Sequence, residues 1–407
     1  MIPQNSAEKR YSIILFILIF SQLLGLYGGM LQAPRVIGIL FLPLLLRELH
    51  VLNKIDRSTT VFFFLFFTTA TISIFHSLDN WIVVKEICYI LINAVLFFEI
   101  LYFAYKSGPS GPKIIILSYT SFLFVTIPIA LYEILFNWHF SNSRFGDDSI
   151  VGGLGIVKQY AAITFGNYNL YNHLIVIGLP FYLSSFSLVS RPFNKLLLFL
   201  GLACLVYIVL INGSRGALVC SFFVMFLYFQ FFYFRKAHTK IYSSLAIIAG
   251  AFYLFLYVSS SENFIYIANR LNSSGFEDNT RRDLIEKGIE ITINTNFIGT
   301  GAGNFGTYVD RKYQSTIQAP HNIFIEILAQ YGVVVFISFL VMLYRLFRQV
   351  TKIDGIPKFV LLSSLFTFPL AFVINSVYLS NPYLWIYLAS LFVVGYKGVN
   401  QKRVHAS

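Results

Sequence analysis

Charge is what this sequence has least of. Only 12% of its residues are Asp, Glu, Lys or Arg, against about 25% in an ordinary soluble domain. With 57% hydrophobic residues, 18% aromatic and a mean hydropathy of +0.70, a soluble chain is excluded and a polytopic membrane protein is implied. Cysteine is also scarce. Cys88, Cys204 and Cys220 each lie in an apolar run, an odd number without the spacing of a disulfide framework or a zinc site. They read as packing residues, and no metal is expected. A cleavable signal peptide is not evident: Lys9 and Arg10 precede an apolar run too long for an h-region and without a small-x-small exit. That run reads as the first spanning helix. No repeat occurs at a solenoid or propeller period, and one membrane domain over 1–407 is the economical description.

Long apolar windows are what the chain has instead. Stretches of about 20 residues, the length that crosses roughly 30 Å of hydrocarbon, begin near Tyr11, Val36, Thr59, Trp81, Ile114, Leu170, Phe193, Ala217, Ile241, Asn322, Lys358 and Asn381. The expected fold is therefore all-α, with about 12 transmembrane helices. The alternate connections 47–57, 106–113, 191–195, 235–240 and 345–358, with both termini, hold about nineteen Lys and Arg, whereas the short loops of the other side hold only Arg35 and Arg215. This bias puts the rich side, and both termini, in the cytoplasm. The formal net charge of +12 is then an orientation signal and a contact with anionic membrane lipids, and nucleic-acid binding is not supported.

Two external connections are long: 137–169, and 259–321 between the ninth and tenth helices. Chemistry is expected there, because polar groups held at a membrane boundary are costly without a role. Within the second, apolar residues from Leu284 to Ile293 recur with a helical period and predict an amphipathic helix over Thr280–Thr295 lying on the membrane surface.

Several residues stand out against that background. Arg215, in Asn212-Gly213-Ser214-Arg215-Gly216, is either a snorkelling anchor or a phosphate ligand whose planar fork matches phosphate oxygens. Arg281 and Arg282 are adjacent cations in the second loop. His321 is the histidine that the topology places on the outer face beside a charged loop, fit for proton transfer or for a structural cap. Asn322 can cap the next helix, and Glu326, one turn further, needs a partner such as Asn322 or a cation. The run Gly299-x-Gly301-x-Gly303 lacks a preceding strand and a following Lys-Ser or Lys-Thr, so a tight re-entrant turn is the expected use rather than a nucleotide loop. Lys85 and Glu86 sit in the outer turns of the fourth helix, where either a structural pair or a ligand contact is open. Arg144 and the Phe165-to-Asn169 cluster of amides and aromatics complete the set, and Asn169 is a candidate sugar contact.

Taken together, three of these elements resemble the O-antigen ligase and O-antigen polymerase superfamily of bacterial envelope glycan transferases. They are Asn212-to-Gly216 after a helix, Arg281 with the Gly299-to-Phe305 run, and His321-Asn322 leading into an apolar helix with Gly332. Gly166-Asn167-Tyr168-Asn169 is similar to that family's Gly-Asn-Pro-Asn entry to a helix, with tyrosine at the proline position. The likeness covers roughly 144–343. It implies a helical, GT-C-like glycosyltransferase of the inner membrane, metal-independent, without a cofactor and inverting. The donor would be an undecaprenyl-pyrophosphate-linked glycan, and the acceptor lipid A-core or a lipid-linked glycan; a chain-length regulator is a candidate partner. Arg215 and Arg281, with Arg282 as the alternative register, would hold the pyrophosphate, and His321 would be catalytic. Lys85, Arg144, Asn169 and Asn322 are further candidate substrate contacts. A multi-pass transporter or flippase of envelope precursors is the competing reading, since twelve helices with both ends inside is also a transporter plan; a noncatalytic scaffold is the third.

Overall fold

The computed structural model describes residues 6–25, 31–48, 56–140, 150–151, 156–157, 159–233, 279–314, 319–375 and 377–406. Helices dominate it: α1 Ser6–Phe20, α2 Ala33–Leu46, α3 Arg57–Ile72, α4 Asn80–Lys106, α5 Gly111–Phe136, α6 Tyr168–Ser185, α7 Pro192–Asn212, α8 Arg215–Phe232, α9 Asn279–Asn294, α10 Phe305–Tyr313, α11 Ile323–Phe347, α12 Gly355–Ala371 and α13 Pro382–Ala406. The one departure from an all-α fold among the described residues is a two-residue antiparallel pair, β1 Ile150–Val151 with β2 Ile156–Val157, inside the first long loop.

Six helical stretches are long and apolar enough to cross a membrane, namely 57–75, 80–106, 108–136, 192–212, 215–232 and 323–351, and α2, α12 and Pro382–Tyr396 are shorter apolar helices. The expectation of about 12 spans is thus met only in part. The window at Tyr11 falls on α1, which is 15 residues long and opens with Glu8, Lys9 and Arg10. The window at Leu170 falls on α6, where Asn169, Asn172 and His173 interrupt the apolar run. The window at Ile241 lies outside the described residues.

Helix ends are set by recognisable local chemistry. Asp56, Asp79, Asn167 and Asn322 stand in extended or near-extended backbone before α3, α4, α6 and α11, and each side chain accepts N–H groups of the first turn that would otherwise lack partners. α7 stops at Gly213, whose φ of 67° is the left-handed conformation glycine adopts without penalty.

The core is one continuous apolar cluster running through the bundle. Trp385 of α13 lies against Phe62 and Phe66 of α3, with ring centroids 6.3 and 5.8 Å apart, and Tyr119 of α5 stacks on Phe181 of α6 at 4.4 Å. The three cysteines are free thiols, Cys220 buried and Cys88 and Cys204 half-buried in helices, in keeping with packing.

The two ends of the bundle differ chemically. At one end, Lys106 pairs with Glu48, Arg345 Nη1 lies 3.4 Å from Asp56 Oδ1, and Glu8 borders Gly108. These contacts join the basic connections and define a basic end. The starts of α4, α6, α8 and α11 and the end of α12 lie at the opposite end, with Arg215 and His321.

Candidate functional site

The site end is organised by a break in α11. Gly332 has φ 76° and ψ 179° inside that helix, a conformation that removes its residues from the usual i→i−4 ladder. The carbonyls of Ala329 and Gln330 thereby become available to another segment. They accept Thr300 N–H at 2.8 Å and Gly301 N–H at 3.1 Å, while Phe297 O receives Val333 N–H at 3.0 Å. Gly303 N–H donates to Gln330 Oε1 at 2.6 Å. The approach is so close that a Cβ on Gly299 would stand 2.6 Å from the Gln330 backbone, and one on Gly332 2.3 Å from Phe297 O. The Gly299-x-Gly301-x-Gly303 run is therefore a turn threaded into the helix break, and the N–H groups of Thr300, Gly301 and Gly303 already donate within the protein.

Asn304 fixes the far side of this turn. Its Oδ1 accepts Asp79 N–H at 3.0 Å and its Nδ2 donates to Asp79 O at 3.3 Å, so one amide imitates a backbone pair and ties the turn to the start of α4. Ala302 N–H donates to Ser73 Oγ at 3.1 Å.

The predicted amphipathic helix is α9, but it does not lie free on a surface. Leu284 and Ile291 are buried with Phe305, Val309, Ile325 and Ala329 in a cluster shared by α9, α10 and α11. Gly288 stands where a Cβ would meet Ile325. The apolar stripe is thus divided, because Ile289 and Ile293 remain exposed on the other side. α9 runs beside α11 in the same direction, Gly288 at Ile325 and Gly299 at Gln330, so its start, bearing Arg281, projects past the start of α11, where His321 stands. Arg282 turns outward and pairs with Glu286 at 3.0 Å, its side chain 76% exposed. Arg281 is half-buried, and its charge acts on the Tyr378 phenol. Burial holds that phenol well above its ordinary value, and Arg281 works against the shift. Of the two registers, Arg281 faces the protein.

His321 has φ 51°, a left-handed conformation uncommon for a residue with a side chain although histidine is among those enriched there; strain of this kind gathers at functional sites. Asn322 next to it is the cap of α11, accepting Phe324 N–H at 2.9 Å and Ile325 N–H at 3.3 Å. Glu326 does not pair with Asn322 or a cation, as the sequence led us to expect. Its carboxylate accepts two backbone N–H groups of the α12–α13 connection, Tyr378 at 2.9 Å and Leu379 at 3.1 Å. From the other side Asn93 Nδ2 donates to Leu379 O at 3.2 Å, Trp385 Nε1 to the same oxygen at 2.8 Å, and Arg35 to Ser380 O. A short loop is thus gripped by a carboxylate at its N–H groups and by cationic and amide donors at its carbonyls.

The segments that carry the candidate residues approach this loop. Arg281 acts on Tyr378, Ile323 N–H beside His321 and Asn322 donates to Phe372 O at 3.2 Å, and a Cβ on Gly216, next to Arg215, would contact Ile374 at 3.3 Å. Arg215 opens α8, Arg281 lies in the first turn of α9 and His321 precedes α11, so three helix starts face residues 372–375 and 377–378.

The first long loop is anchored to the same end. Asn212 accepts Ala161 N–H at 2.7 Å and donates to Ala161 O at 3.1 Å and to Asn172 Oδ1 at 2.8 Å, which ties the approach to Arg215 to residues 160–162. Glu133 Oε2 accepts Ala162 and Ile163 N–H at 2.8 and 2.7 Å. Ile163 has φ 43°, an outlier for a β-branched residue. His139 stands here too, stacked on Tyr160 at 4.1 Å with Nδ1 3.7 Å from Glu133 Oε1. His321 is therefore not the sole histidine of this end beside charge, and no motif or spacing singles out His139.

The remaining candidates are dispersed. Lys85 is exposed, 5.8 Å over the Tyr89 ring, whereas Glu86 is buried and faces Arg35 and Tyr331. Asn169 is half-buried in the first turn of α6, its N–H bound by Asn167 Oδ1 at 2.8 Å; Gly166-Asn167-Tyr168-Asn169 is thus a capped helix entry. Arg144 lies outside the described residues.

A helical membrane protein with two arginines and a histidine from three helix starts set around one pinned loop is the class that fold and site define. Residues 200–340 match the family described as O-antigen ligase, which places this segment in the O-antigen ligase and polymerase superfamily. The matched stretch contains Arg215, Arg281, Arg282, His321 and Asn322, and ends eight residues past the break at Gly332. No curated protein matches the chain.

Proposed function

We propose that the chain transfers an undecaprenyl-pyrophosphate-linked oligo- or polysaccharide to an acceptor sugar on the periplasmic face of the bacterial inner membrane, as an O-antigen ligase or polymerase. The acceptor is lipid A-core in the first case and a lipid-linked glycan in the second. The observation that carries this reading is the placement of Arg215, Arg281 and His321 at helix starts that face residues 372–375 and 377–378, at the end of the bundle opposite the basic connections.

The chemistry fits those residue types. Cleaving a glycosyl-pyrophosphate bond builds negative charge on the leaving group, which fixed guanidinium groups stabilise as it forms. The acceptor hydroxyl must give up a proton. Glu326 has both oxygens engaged by backbone N–H groups, which favours the imidazole of His321, at the mouth of α11, as the group that accepts it. Direct attack of the acceptor oxygen on the anomeric carbon inverts that centre, and no metal is called for because the arginines supply the positive charge.

The test is glycan transfer by the purified protein from a polyprenyl-pyrophosphate-linked donor to a defined acceptor. Product carrying the donor glycan supports the reading. Movement of the intact donor across a vesicle membrane without transfer would establish the transporter instead. In cells, loss of all attached polymer on deletion marks a ligase, and a single attached repeat unit marks a polymerase.

A further inference from the structure

Between α3 and α11 runs a groove of about 540 Å³ that the transfer reaction does not use. Its floor and walls are apolar along most of their length, with Val61 and Leu65 on α3 and Val334 and Ile337 on α11; at one end stand Arg57 and Arg345. Val61, Val334 and Ile337 are 43%, 59% and 54% exposed, so nothing of the chain's described part covers the groove. Apart from Ser338, whose hydroxyl donates to Val335 O, the polar lining lies at the basic end. Asp56 engages one of the cations, Arg345, at 3.4 Å, and also caps α3 through Ser58 N–H at 2.9 Å; the end therefore keeps a net positive charge, two arginines against one carboxylate.

Length decides what fits. From Val334 to Arg345 a helix rises about 16 Å, which is close to half of the roughly 30 Å hydrocarbon thickness. The break at Gly332 and the threaded Gly299-to-Gly303 turn mark its other limit. A channel one leaflet long, apolar within and cationic at the membrane surface, matches an acyl chain with an anionic headgroup. A polyprenyl chain, which is far longer than one leaflet, does not match, and its pyrophosphate would lie at the wrong end for Arg215 and Arg281.

We propose that this groove is a binding site for an anionic phospholipid of the leaflet opposite the transfer site, its phosphate held by Arg57 and Arg345 and one acyl chain lying along Val61, Leu65, Val334 and Ile337. The assignment to the cytoplasmic leaflet rests on the orientation proposed above; the site itself rests on the groove and its two arginines. Such a lipid would splint α3 to the inner half of α11, below the break.

The experiment is native mass spectrometry of the delipidated full-length protein titrated with phosphatidylglycerol, phosphatidylcholine or undecaprenyl phosphate, which reads bound lipid without any glycan transfer. Phosphatidylglycerol is expected to be retained about tenfold or more over phosphatidylcholine, since each arginine near the headgroup adds attraction. That preference should vanish in the Arg57→Gln/Arg345→Gln double variant, and the bound lipid should be lost in Ile337→Trp, which fills the groove and leaves the charge unchanged. The double variant Arg348→Gln/Lys352→Gln removes equal charge from the same end outside the groove and should retain the lipid. Equal retention of phosphatidylcholine, equal loss in the Arg348/Lys352 variant, or retention of undecaprenyl phosphate in preference to phosphatidylglycerol would each overturn the proposal. None of these outcomes bears on whether the protein transfers glycan.

Discussion

Glu326 grips Tyr378: its carboxylate accepts the backbone N–H of Tyr378 at 2.9 Å and that of Leu379 at 3.1 Å, with Glu326 itself 1% exposed. A buried carboxylate one turn into a membrane helix is tolerable only when such donors surround it. It fixes the loop on whose Tyr378 the charge of Arg281 acts. Glu326→Ala should leave two buried N–H groups without acceptors, at about 1–3 kcal/mol each, and lower both thermal stability in detergent and transfer. Glu326→Gln keeps one acceptor oxygen but turns an NH₂ toward the second N–H, so it should fold and yet transfer poorly. Wild-type transfer by the alanine variant would remove the loop from the site.

Arg215 should not be replaceable by lysine. A guanidinium offers a planar pair of donors to pyrophosphate oxygens, and an ammonium offers a point charge. Arg215→Lys, at equal protein abundance, is expected to lose most polymer display. If Arg215 is merely an interfacial anchor, lysine will serve as well and display will be near normal.

The neighbouring arginines should differ sharply. Arg282→Gln removes an exposed pair with Glu286, worth about 0–1 kcal/mol at most, and should leave transfer within about twofold of wild type. Arg281→Gln removes the cation that faces Tyr378 and should lower transfer by tenfold or more. Steady-state transfer rates of the two purified variants check this, and the reverse order would assign the other register.

His321→Ala should reduce transfer by about 10²- to 10⁴-fold if the imidazole takes the acceptor proton, while donor binding, assigned to the arginines, is retained. The decisive comparison is His321→Gln, which can hydrogen-bond but cannot accept the proton. Restored activity in that variant would give His321 an acceptor-holding role, and would direct attention to His139.

Gly332→Ala should be among the most damaging small changes in the protein. The added methyl would stand 2.3 Å from Phe297 O, at a φ of 76°, where an L side chain is strained by about 1–3 kcal/mol before any clash. Gly355 has a similar φ of 66° but open space around it, so Gly355→Ala should cost only its backbone strain. Thermal unfolding followed in detergent separates the two, and equal shifts would mean that the turn is not tightly threaded.

Much of this architecture could be read from the chain. Six of the apolar windows fall on helices long enough to cross a membrane, and the Asx caps at Asn167 and Asn322 are local signals that the helices obey. The site was legible as a set of residues but not as an arrangement. Asn304 and Asp79 are 225 positions apart, and Glu326 and Tyr378 are 52; nothing in the spacing of either pair announces that one amide pairs with both the N–H and the C=O of Asp79, or that one carboxylate accepts two successive backbone N–H groups. The glycine run was legible as a tight turn, but what it packs against was not, for a related reason. Its partners are carbonyls set free by a break in another helix, and a helical pattern such as IFIEILAQYGVVVFISF contains only a single glycine to hint at it. His139 drew no attention in the sequence because its setting depends on Tyr160, a residue distant in the chain that stacks on its ring.

The interruption at Gly332 also bears on how the protein meets membranes of different thickness. An unbroken helix answers a change in bilayer depth by tilting as a rod, which would swing any group at its tip. Here the piece before the break, from Ile323 to Tyr331, is only ~13 Å long and is held by α9, α10 and the glycine turn. Val333 N–H, the first of the piece after the break, donates to Phe297 O at 3.0 Å, so the joint itself is held by the turn. The half that carries Glu326 and follows His321 thus has supports of its own, in what the sequence presents as a single span.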